Sequence, residues 1–251
     1  MSQGWKAELI FAGSVAKRDG EQNEDRFRVD EAALCFALSD GASVSYDPAT
    51  WAELLCNKFI ENSAFDAGWV SEAVAAYSRT VDREALSWMK QAAFDRGSFA
   101  SLLGVQLNLD LSTIEIRAVG DTNIFVLENG ELTDSFPVKN VEQFSNSPDL
   151  VCTVGSENAY LTKDVLTASC LTVDLKKRMD ADVLSLLMAT DALSAWAMAD
   201  PTNDRLIKLF SVIDENQLKE LVSTERANGS LKLDDITLIT IRISRGVSPE
   251  Y

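Results

Sequence analysis

The sequence predicts an α+β fold in which helices cover the faces of antiparallel sheets. A series of apolar segments has the composition of β-strands, and short polar turns between several of them favour antiparallel pairing. Segments with helical spacing separate the early strands from the middle ones and recur near the C-terminus. The 251 residues contain no internal repeat and no linker rich in Pro, Gly or Ser, so we expect a single domain over residues 1–251.

The strands are predicted from apolar runs bounded by turn residues. They are residues 7–12, 27–29, 33–38, 99–109, 113–119, 123–127, 165–173, 183–189 and 236–243. A polar stretch at 108–112 and the sequence Glu-Asn-Gly at 128–130 are typical of hairpin turns. Asn-Gly in particular accepts the positive φ of a tight turn. These turns predict antiparallel neighbours.

The helices are predicted from apolar spacing and from capping residues. Pro48 suits a first helical turn and Asp47 a position just before it, and apolar residues with helical spacing follow. A second helix is expected over residues 70–94, and two late helices over 204–212 and 215–226. Residues 138–160 show little periodicity, so we expect a long surface loop there.

The charge of the chain argues against several classes of partner. It has 23 basic and 39 acidic residues, a formal charge of −16 and a pI near 4.4. Such a chain repels nucleic acids and anionic membranes. No apolar run reaches the ~18 residues of a membrane span, and the first residues do not have the pattern of a secretion signal. We therefore expect a cytoplasmic protein with neither nucleic acid nor membrane as a partner.

The absence of histidine excludes more than the charge does. With no histidine in the chain, catalytic triads that use histidine, His-ligated zinc and phosphohistidine chemistry are ruled out. The cysteines Cys35, Cys56, Cys152 and Cys170 are far apart and form no CxxC pair. We expect them to be buried, reduced thiols.

Acidic residues recur where the predicted strands begin or end. They are Glu24 and Asp25 before the second strand, Asp40 after the third, and Asp191 and Asp234 beside the last two. Each alone is more typical of a turn, a helix cap or a charged surface. In antiparallel neighbours, however, the end of one strand lies beside the start of the next, so all four sites would gather at one edge. Clustered carboxylates repel unless a cation neutralises them, and oxygen ligands suit Mg²⁺ or Mn²⁺.

Six short motifs stand at these boundaries in order along the chain. They are Asn-Glu-Asp at 23–25, Phe-Ala-Leu-Ser-Asp-Gly-Ala-Ser at 36–43, Gly-Ser-Phe-Ala-Ser at 97–101, Ala-Val-Gly-Asp-Thr at 118–122, Met-Ala-Thr-Asp at 188–191 and Leu-Asp-Asp-Ile-Thr at 233–237. Together they resemble the metal-dependent protein phosphatases of the serine/threonine type 2C group, in particular compact bacterial members, and the resemblance extends over residues 7–244.

The resemblance implies a four-layer α-β-β-α sandwich with a metal centre at one end of the paired sheets. Asp40 would bridge two Mg²⁺ or Mn²⁺ ions, the Gly41 carbonyl and the Glu24/Asp25 pair would serve one ion, and Asp191 with Asp234 would serve the other. Which of Glu24 and Asp25 is the ligand stays open. The family's chemistry is in-line attack on phosphorus by a bridging water, without a phosphoenzyme. A metal-bound water would protonate the leaving group, since histidine is absent.

A basic residue ahead of the Asn-Glu-Asp motif binds the substrate phosphate in this family. Lys17 and Arg18 are the candidates here, with a solvated loop pair as the alternative reading. We favour Arg18, because a guanidinium holds phosphate through two parallel hydrogen bonds. By the same resemblance, Asp121 is a structural acid near a turn and not a metal ligand.

The chain departs from the family at the place where a third ion binds. It has Asp-Ala at 191–192 where Asp-Gly is usual, and Ala195 stands where an acid often helps to hold that ion. Asp95 is the remaining candidate ligand, with one residue fewer than the usual spacing. Asp235 replaces a common asparagine. We therefore expect two ions, with the third in question.

The sequence thus predicts a phosphatase that acts on phosphoserine or phosphothreonine in a protein. Its partner would be a phosphorylated protein, such as a bacterial-type serine/threonine kinase or a target of that kinase. The alternative is a catalytically weak or inactive relative that binds phosphoproteins or has a regulatory role. Metal-dependent hydrolysis of an aryl phosphate discriminates between the two.

Overall fold

The computed structural model describes residues 4–145, 147–178 and 181–245. In these ranges the strands are β1 (Trp5–Val15), β2 (Arg26–Asp30), β3 (Cys35–Ser39), β4 (Phe99–Ala100), β5 (Leu102–Asn108), β6 (Thr113–Val119), β7 (Asn123–Glu128), β8 (Glu131–Phe136), β9 (Val151–Cys152), β10 (Cys170–Asp174), β11 (Val183–Ala189) and β12 (Ile236–Arg245). The α-helices are α1 (Pro48–Glu61), α2 (Ala67–Ser78), α3 (Trp88–Arg96), α4 (Lys163–Ala168), α5 (Asp191–Met198), α6 (Asp204–Phe210) and α7 (Glu215–Ala227).

The strands form two five-stranded antiparallel sheets and one short pair. The first sheet has the order β1-β12-β11-β7-β8 and the second β10-β6-β5-β3-β2, while β4 pairs with β9. Buried side chains from both sheets, among them Leu38, Ile116, Leu186 and Ile241, form one core between them. The two sheets therefore stack face to face.

Helices cover the outer face of each sheet. On the first sheet, α5, α6 and α7 pack through buried residues such as Trp196 and Leu218. On the second, α1 and α2 pack through Trp51 and Tyr77, which are fully buried. Each sheet is apolar on both faces and needs a layer on either side, so the result is the predicted α-β-β-α sandwich.

Two local sequence signals are confirmed in detail. Asp47 caps α1 by accepting a hydrogen bond from the backbone N–H of Thr50 at 3.3 Å, and Pro48 is the first residue of that helix. Asn129 and Gly130 have φ of 50° and 90° and join β7 to β8 in a tight hairpin. Strand β8 itself was not predicted, because its sequence Glu-Leu-Thr-Asp-Ser-Phe is largely polar.

The single helix predicted over residues 70–94 is wrong. Helix α2 ends at Ser78, a short 3-10 helix covers Arg83–Ala85, and α3 begins only at Trp88. Trp88 is 78% exposed, so the apolar residues that suggested one continuous buried stripe do not share a face. Asp82 accepts a hydrogen bond from the backbone N–H of Glu84, which starts the short 3-10 turn instead.

Two further segments differ from the sequence-based expectation. The strand predicted over 165–173 starts as helix α4, because Thr162 caps the backbone N–H of Val165, and β10 begins only at Cys170. The segment 138–160, expected as a loop, holds β9 and the 3-10 helices Val141–Ser145 and Gly155–Tyr160.

The cysteines are free, as predicted. Cys35, Cys56 and Cys152 are buried and Cys170 is partly buried. As for membranes, no helix within the described ranges combines the length and the apolar character that crossing a bilayer requires.

Candidate metal centre

Strand register brings the sequence-predicted acids to one end of the two sheets. In the second sheet Arg26 pairs with Ser39, so Asp25 and Asp40, one residue beyond each, stand opposite each other. In the first sheet β11 ends at Ala189 opposite Leu238 of β12, which places Asp191 and Asp234 at the same end. This convergence follows from antiparallel pairing.

A hydrogen bond joins the acidic ends of the two sheets. The Thr237 hydroxyl, at the start of β12, donates to Asp25 Oδ2 at 2.7 Å. Thr237 is itself held by Thr190, because its backbone N–H donates to the Thr190 hydroxyl at 3.0 Å. The end of β11, the start of β12 and the start of β2 are thus linked at the site.

Asp25 is the most deeply enclosed of these acids. It is 3% exposed, and its second carboxylate oxygen, Oδ1, is buried with no hydrogen-bond partner in the described part of the chain. Burial raises the pKa of Asp25 from its usual 3.8 to about 8, the Thr237 hydrogen bond opposes the rise, and the negative charges of Asp235 and Asp191 add to it. An ionised Asp25 therefore needs a cation.

Asp40 is held by its backbone, while its carboxylate is left free. The backbone N–H of Asp40 donates to the Ser101 hydroxyl and the backbone N–H of Ser101 donates to the Asp40 carbonyl, both at 2.9 Å. No described residue donates a hydrogen bond to the Asp40 carboxylate. Burial raises its pKa well above the usual value, with Asp25 and Asp191 as the leading charges among its neighbours.

Gly41 is required by a close backbone approach. A Cβ at this position would lie 2.8 Å from both the carbonyl carbon and the carbonyl oxygen of Pro48, the first residue of α1. No side chain fits there without moving the helix. The glycine therefore lets α1 pack directly against the loop that carries Asp40.

Asp191 and Asp234 share one lysine, which offsets one of their two negative charges. Lys232 Nζ lies 2.7 Å from Asp234 Oδ2 and 3.5 Å from Asp191 Oδ2. The hydrogen bond to Asp234 raises the pKa of Lys232 despite partial burial. Burial nonetheless raises the pKa of Asp191, because it outweighs the opposing charge of Lys232. Asp191 and Asp234 therefore have a basic partner, whereas Asp25 and Asp40 form no ion pair with a described residue.

The carboxylate of Glu24 is bound by a lysine and a serine. It accepts hydrogen bonds from Lys17 Nζ at 3.3 Å and from the Ser43 hydroxyl. Asp235 also has a structural role, since its two oxygens accept the backbone N–H groups of Lys17 and Glu24, both at 2.6 Å. Between the two acids that the sequence left open, the structure turns Asp25 towards Asp40.

Arg18, the phosphate ligand favoured from the sequence, lies at the surface in this structure, and its role stays a prediction. Its side chain is 61% exposed and forms a surface ion pair with Glu21 at 3.1 Å. Lys17 instead lies beside Glu24 and Asp235, with a side chain that is 23% exposed. Burial opposes the charge of Lys17, but the hydrogen bond to Glu24 and the nearby carboxylates outweigh it and raise its pKa.

Asp95 likewise does not join the acids in the structure. It forms a two-pronged ion pair with Arg83, with Nε to Oδ1 at 2.7 Å and Nη2 to Oδ2 at 2.5 Å, and its side chain is 51% exposed. Arg83 lowers the pKa of Asp95 through this pair. A surface arginine thus binds both oxygens of Asp95 in this structure, and the assignment of Asp95 to a third ion stays a prediction.

Two residues near these acids were not counted as site residues from the sequence: Asp121, which the resemblance gave as a structural acid, and Lys232, which was not singled out. Asp121, between β6 and β7, belongs to the acids that raise the pKa of Asp40, and burial followed by the charge of Asp191 raises its own pKa to about 6. Its position after a strand was the same signal that identified Asp40. Lys232 was missed because a lysine two residues before an acid has no distinctive pattern.

The carboxylates at this end of the sheets are suitable ligands for a hard divalent cation, although in this structure their oxygens are not arranged around a common point. No three His, Cys, Asp or Glu side chains within the described ranges stand in a coordinating arrangement. The donor set nevertheless consists of carboxylate oxygens, as Mg²⁺ and Mn²⁺ prefer. The buried Asp25 Oδ1 has no partner, and a cation would supply one. Like charges explain why bare carboxylates stay apart.

A cavity of about 710 Å³ lies elsewhere and does not change this assignment. It is bounded by the start of α2, by α4 and by Arg117, with Asp66 as its acidic side chain. Size alone does not make a catalytic site, since the perturbed carboxylates are at the sheet ends.

Comparisons with known proteins identify the fold. No protein-family model matches the sequence, and no curated protein is similar to it in sequence. The structure is similar to the serine/threonine phosphatase PstP/Ppp of Mycobacterium tuberculosis, with 15% identity, a TM-score of 0.58, and coverage of 97% of this chain and 100% of that one. PppA, a key regulatory component of T6SS in Pseudomonas aeruginosa, gives 16% identity, a TM-score of 0.58, and coverage of 96% and 98%.

A third solved structure contains metal. The catalytic domain of the serine/threonine protein phosphatase PstP, in complex with two manganese ions, matches at 14% identity and a TM-score of 0.58, covering 96% of this chain and 99% of that one. At such identities the likeness establishes the fold alone. The chain therefore has the fold of the type 2C serine/threonine protein phosphatases.

Proposed function

We propose that the protein is a metal-dependent phosphatase that hydrolyses phosphoserine or phosphothreonine in a protein substrate. The observation that carries the proposal is the pair Asp25 and Asp40. Both carboxyl groups are desolvated with raised pKa values, and no ion pair among the described residues reaches either of them. They stand at the end of a fold that this chain shares with serine/threonine phosphatases.

Asp25, Asp40, Asp191 and Asp234 would hold two Mg²⁺ or Mn²⁺ ions, together with the carbonyl of Gly41. When bound, such ions supply an activated water and neutralise charge on the phosphoryl oxygens. Lys17 would bind the substrate phosphate, and the proposal is supported by its ammonium, which hydrogen-bonds to Glu24 and Ser43 beside the Asn-Glu-Asp motif. Ser101 keeps the Asp40 backbone in place during the reaction.

The substrate would be a phosphorylated protein, as the serine/threonine phosphatases of the same fold suggest. The net charge of −16 favours phosphorylated sites with basic neighbours, since complementary charge accelerates encounter. A serine/threonine kinase would supply such a substrate.

Hydrolysis of an aryl phosphate tests the proposal directly. We expect turnover with Mn²⁺ that is lost on chelation and in Asp40→Asn. Asp110→Asn is the matched control, since Asp110 is an exposed acid in the turn between β5 and β6 and should retain full activity. Phosphoserine and phosphothreonine peptides should be cleaved in the same metal-dependent way. Purified protein that turns over no phosphoester with either ion would refute the enzyme proposal.

A second candidate function is a regulatory module that binds phosphoproteins without hydrolysing them. It is favoured by the lysine that already forms ion pairs with Asp191 and Asp234, and by the absence of an acid at Ala195. This alternative predicts phosphopeptide binding without turnover, at a strength that does not depend on Mn²⁺. Metal-dependent turnover would exclude it.

A further inference from the structure

The carboxylates of Asp191 and Asp234 have donors at all four oxygen atoms. Their Oδ2 atoms face Lys232 Nζ at 3.5 Å and 2.7 Å respectively. Asp191 Oδ1 accepts a hydrogen bond from the backbone N–H of Ala192 at 2.5 Å, and Asp234 Oδ1 accepts one from the backbone N–H of Asp235 at 3.2 Å. A divalent ion that uses these two acids must therefore replace existing partners.

The carboxylates of Asp25 and Asp40, in contrast, lack such a full set of partners. Asp25 Oδ1 has no partner, and no described residue donates to the carboxylate of Asp40. No basic side chain forms an ion pair with either acid in the described part of the chain. A divalent ion that binds these two acids therefore displaces no basic side chain. The pair Asp25 and Asp40 and the pair Asp191 and Asp234 are not equivalent in this respect.

Lys232 is attached in a way that lets its ammonium leave. The preceding residue, Leu231, is 4% exposed and packs in the core beneath α7, which anchors the loop between α7 and β12. The Lys232 side chain itself is 65% exposed. The backbone position is thus held, while the long side chain can swing from the two acids into solvent.

We propose that the Lys232 ammonium competes with a divalent cation for Asp191 and Asp234, so that the two ions of the centre bind with unequal affinity. The inference rests on the metal centre of the proposed function. The first ion binds at Asp25 and Asp40 without displacing a basic side chain. The second must break two ion pairs and then sits near a displaced ammonium, so it binds more weakly.

Binding of Mn²⁺ measures this inequality without any assay of activity. Free aqueous Mn²⁺ gives a characteristic paramagnetic resonance signal that is lost on binding, so a titration yields both stoichiometry and affinity. We compare the full chain with Lys232→Met, which keeps the length of the side chain and removes its charge, and with Lys232→Arg, which keeps the charge. Lys219→Met is the control, because Lys219 forms an exposed ion pair with Glu215 on α7.

The expected result is one tighter and one weaker site in the unmodified protein. In Lys232→Met the weaker site should tighten about tenfold, the size of two partly exposed ion pairs. Lys232→Arg and Lys219→Met should leave both affinities within about twofold of the unmodified protein. A thermal melt of each variant without metal verifies that it is folded.

Different results separate the inference from the proposed function. Two Mn²⁺ ions that bind equally in the unmodified protein and in Lys232→Met would overturn the competition and leave the metal centre intact. A lack of Mn²⁺ binding in all four proteins would overturn the centre and the inference together. A loss of binding in Lys232→Met, with a native melt, would show that Lys232 supports the metal site and would contradict competition.

Discussion

Replacement of Asp25 by asparagine should stabilise the metal-free protein above neutral pH. The carboxyl group of Asp25 is almost fully buried, and its pKa is about 8 in the fold against a usual value of 3.8. The folded protein therefore keeps a proton on this group that the unfolded chain has released. Asparagine is neutral at every pH, and its side-chain oxygen can still accept the hydrogen bond from Thr237.

The sign and size of the effect follow from linkage. Because the folded state binds the extra proton, the stability contributed by Asp25 is complete below pH 4 and is lost as the pH rises towards 8. Each pH unit between the two pKa values costs about 1.4 kcal/mol. Between pH 5 and pH 8 the unmodified protein should therefore lose about 3 to 4 kcal/mol relative to Asp25→Asn.

Urea unfolding in the presence of a chelator, at pH 5, 6, 7 and 8, measures this difference. The free energies of unfolding of the two proteins should diverge steadily with pH, and Asp25→Asn should be the more stable at pH 8. Titrating groups that do not interact with Asp25 affect both proteins alike and cancel in the comparison, whereas Asp40, whose pKa the charge of Asp25 helps to raise, contributes to the difference. Addition of Mn²⁺ at pH 8 should raise the melting temperature of the unmodified protein, since the ion replaces the proton. If the two stability profiles run parallel from pH 5 to pH 8, the assignment of a desolvated Asp25 is wrong.

Three further predictions concern the surroundings of the acids. Lys17→Ala should raise KM for an aryl phosphate more than it lowers kcat, whereas Arg18→Ala should leave both constants near their original values. Steady-state kinetics measures both constants, and the reverse pattern would restore Arg18 as the phosphate ligand. Gly41→Ala should lower the melting temperature, because the Cβ of the new alanine would lie 2.8 Å from the Pro48 backbone. A melting temperature equal to that of the unmodified protein would contradict this packing. Asp235→Asn keeps one acceptor oxygen where two backbone N–H groups now bond. Denaturant unfolding should therefore show that the free energy of unfolding falls by about 1 to 3 kcal/mol. An unchanged midpoint would mean that the 17–24 loop does not depend on Asp235.

Much of the fold was accessible from local sequence patterns. Buried strands such as β11, with the sequence Val-Leu-Ser-Leu-Leu-Met-Ala, are apolar runs that stand out in any window. Helix α1 carried both a cap and a proline at its start. The segment 70–94 failed because its apolar residues have helical spacing without a common buried face, and burial is decided by partners far along the chain.

The site was only partly accessible. The acids at strand ends were recognised because a strand boundary is a local feature. Whether Glu24 or Asp25 faces inward, and whether Lys17 or Arg18 approaches the phosphate, depends on side-chain directions in a loop. Asp235, more than 200 positions away from Lys17, sets that loop by accepting two of its backbone N–H groups. The ion pair between Asp95 and Arg83 was not foreseen for the same reason, since no sequence pattern marks Arg83 as its partner.

Local features of the sequence were enough to predict the layered fold and the use of carboxylates. These features are the order of the apolar segments, the turn residues and the acids beside them, and each depends only on neighbouring positions. The tertiary structure decided which carboxylates lose water, which keep a lysine and which face solvent. The physical reason is that desolvation and ion pairing depend on distance in space, and antiparallel pairing brings β2, β3, β11 and β12 together from opposite ends of the chain.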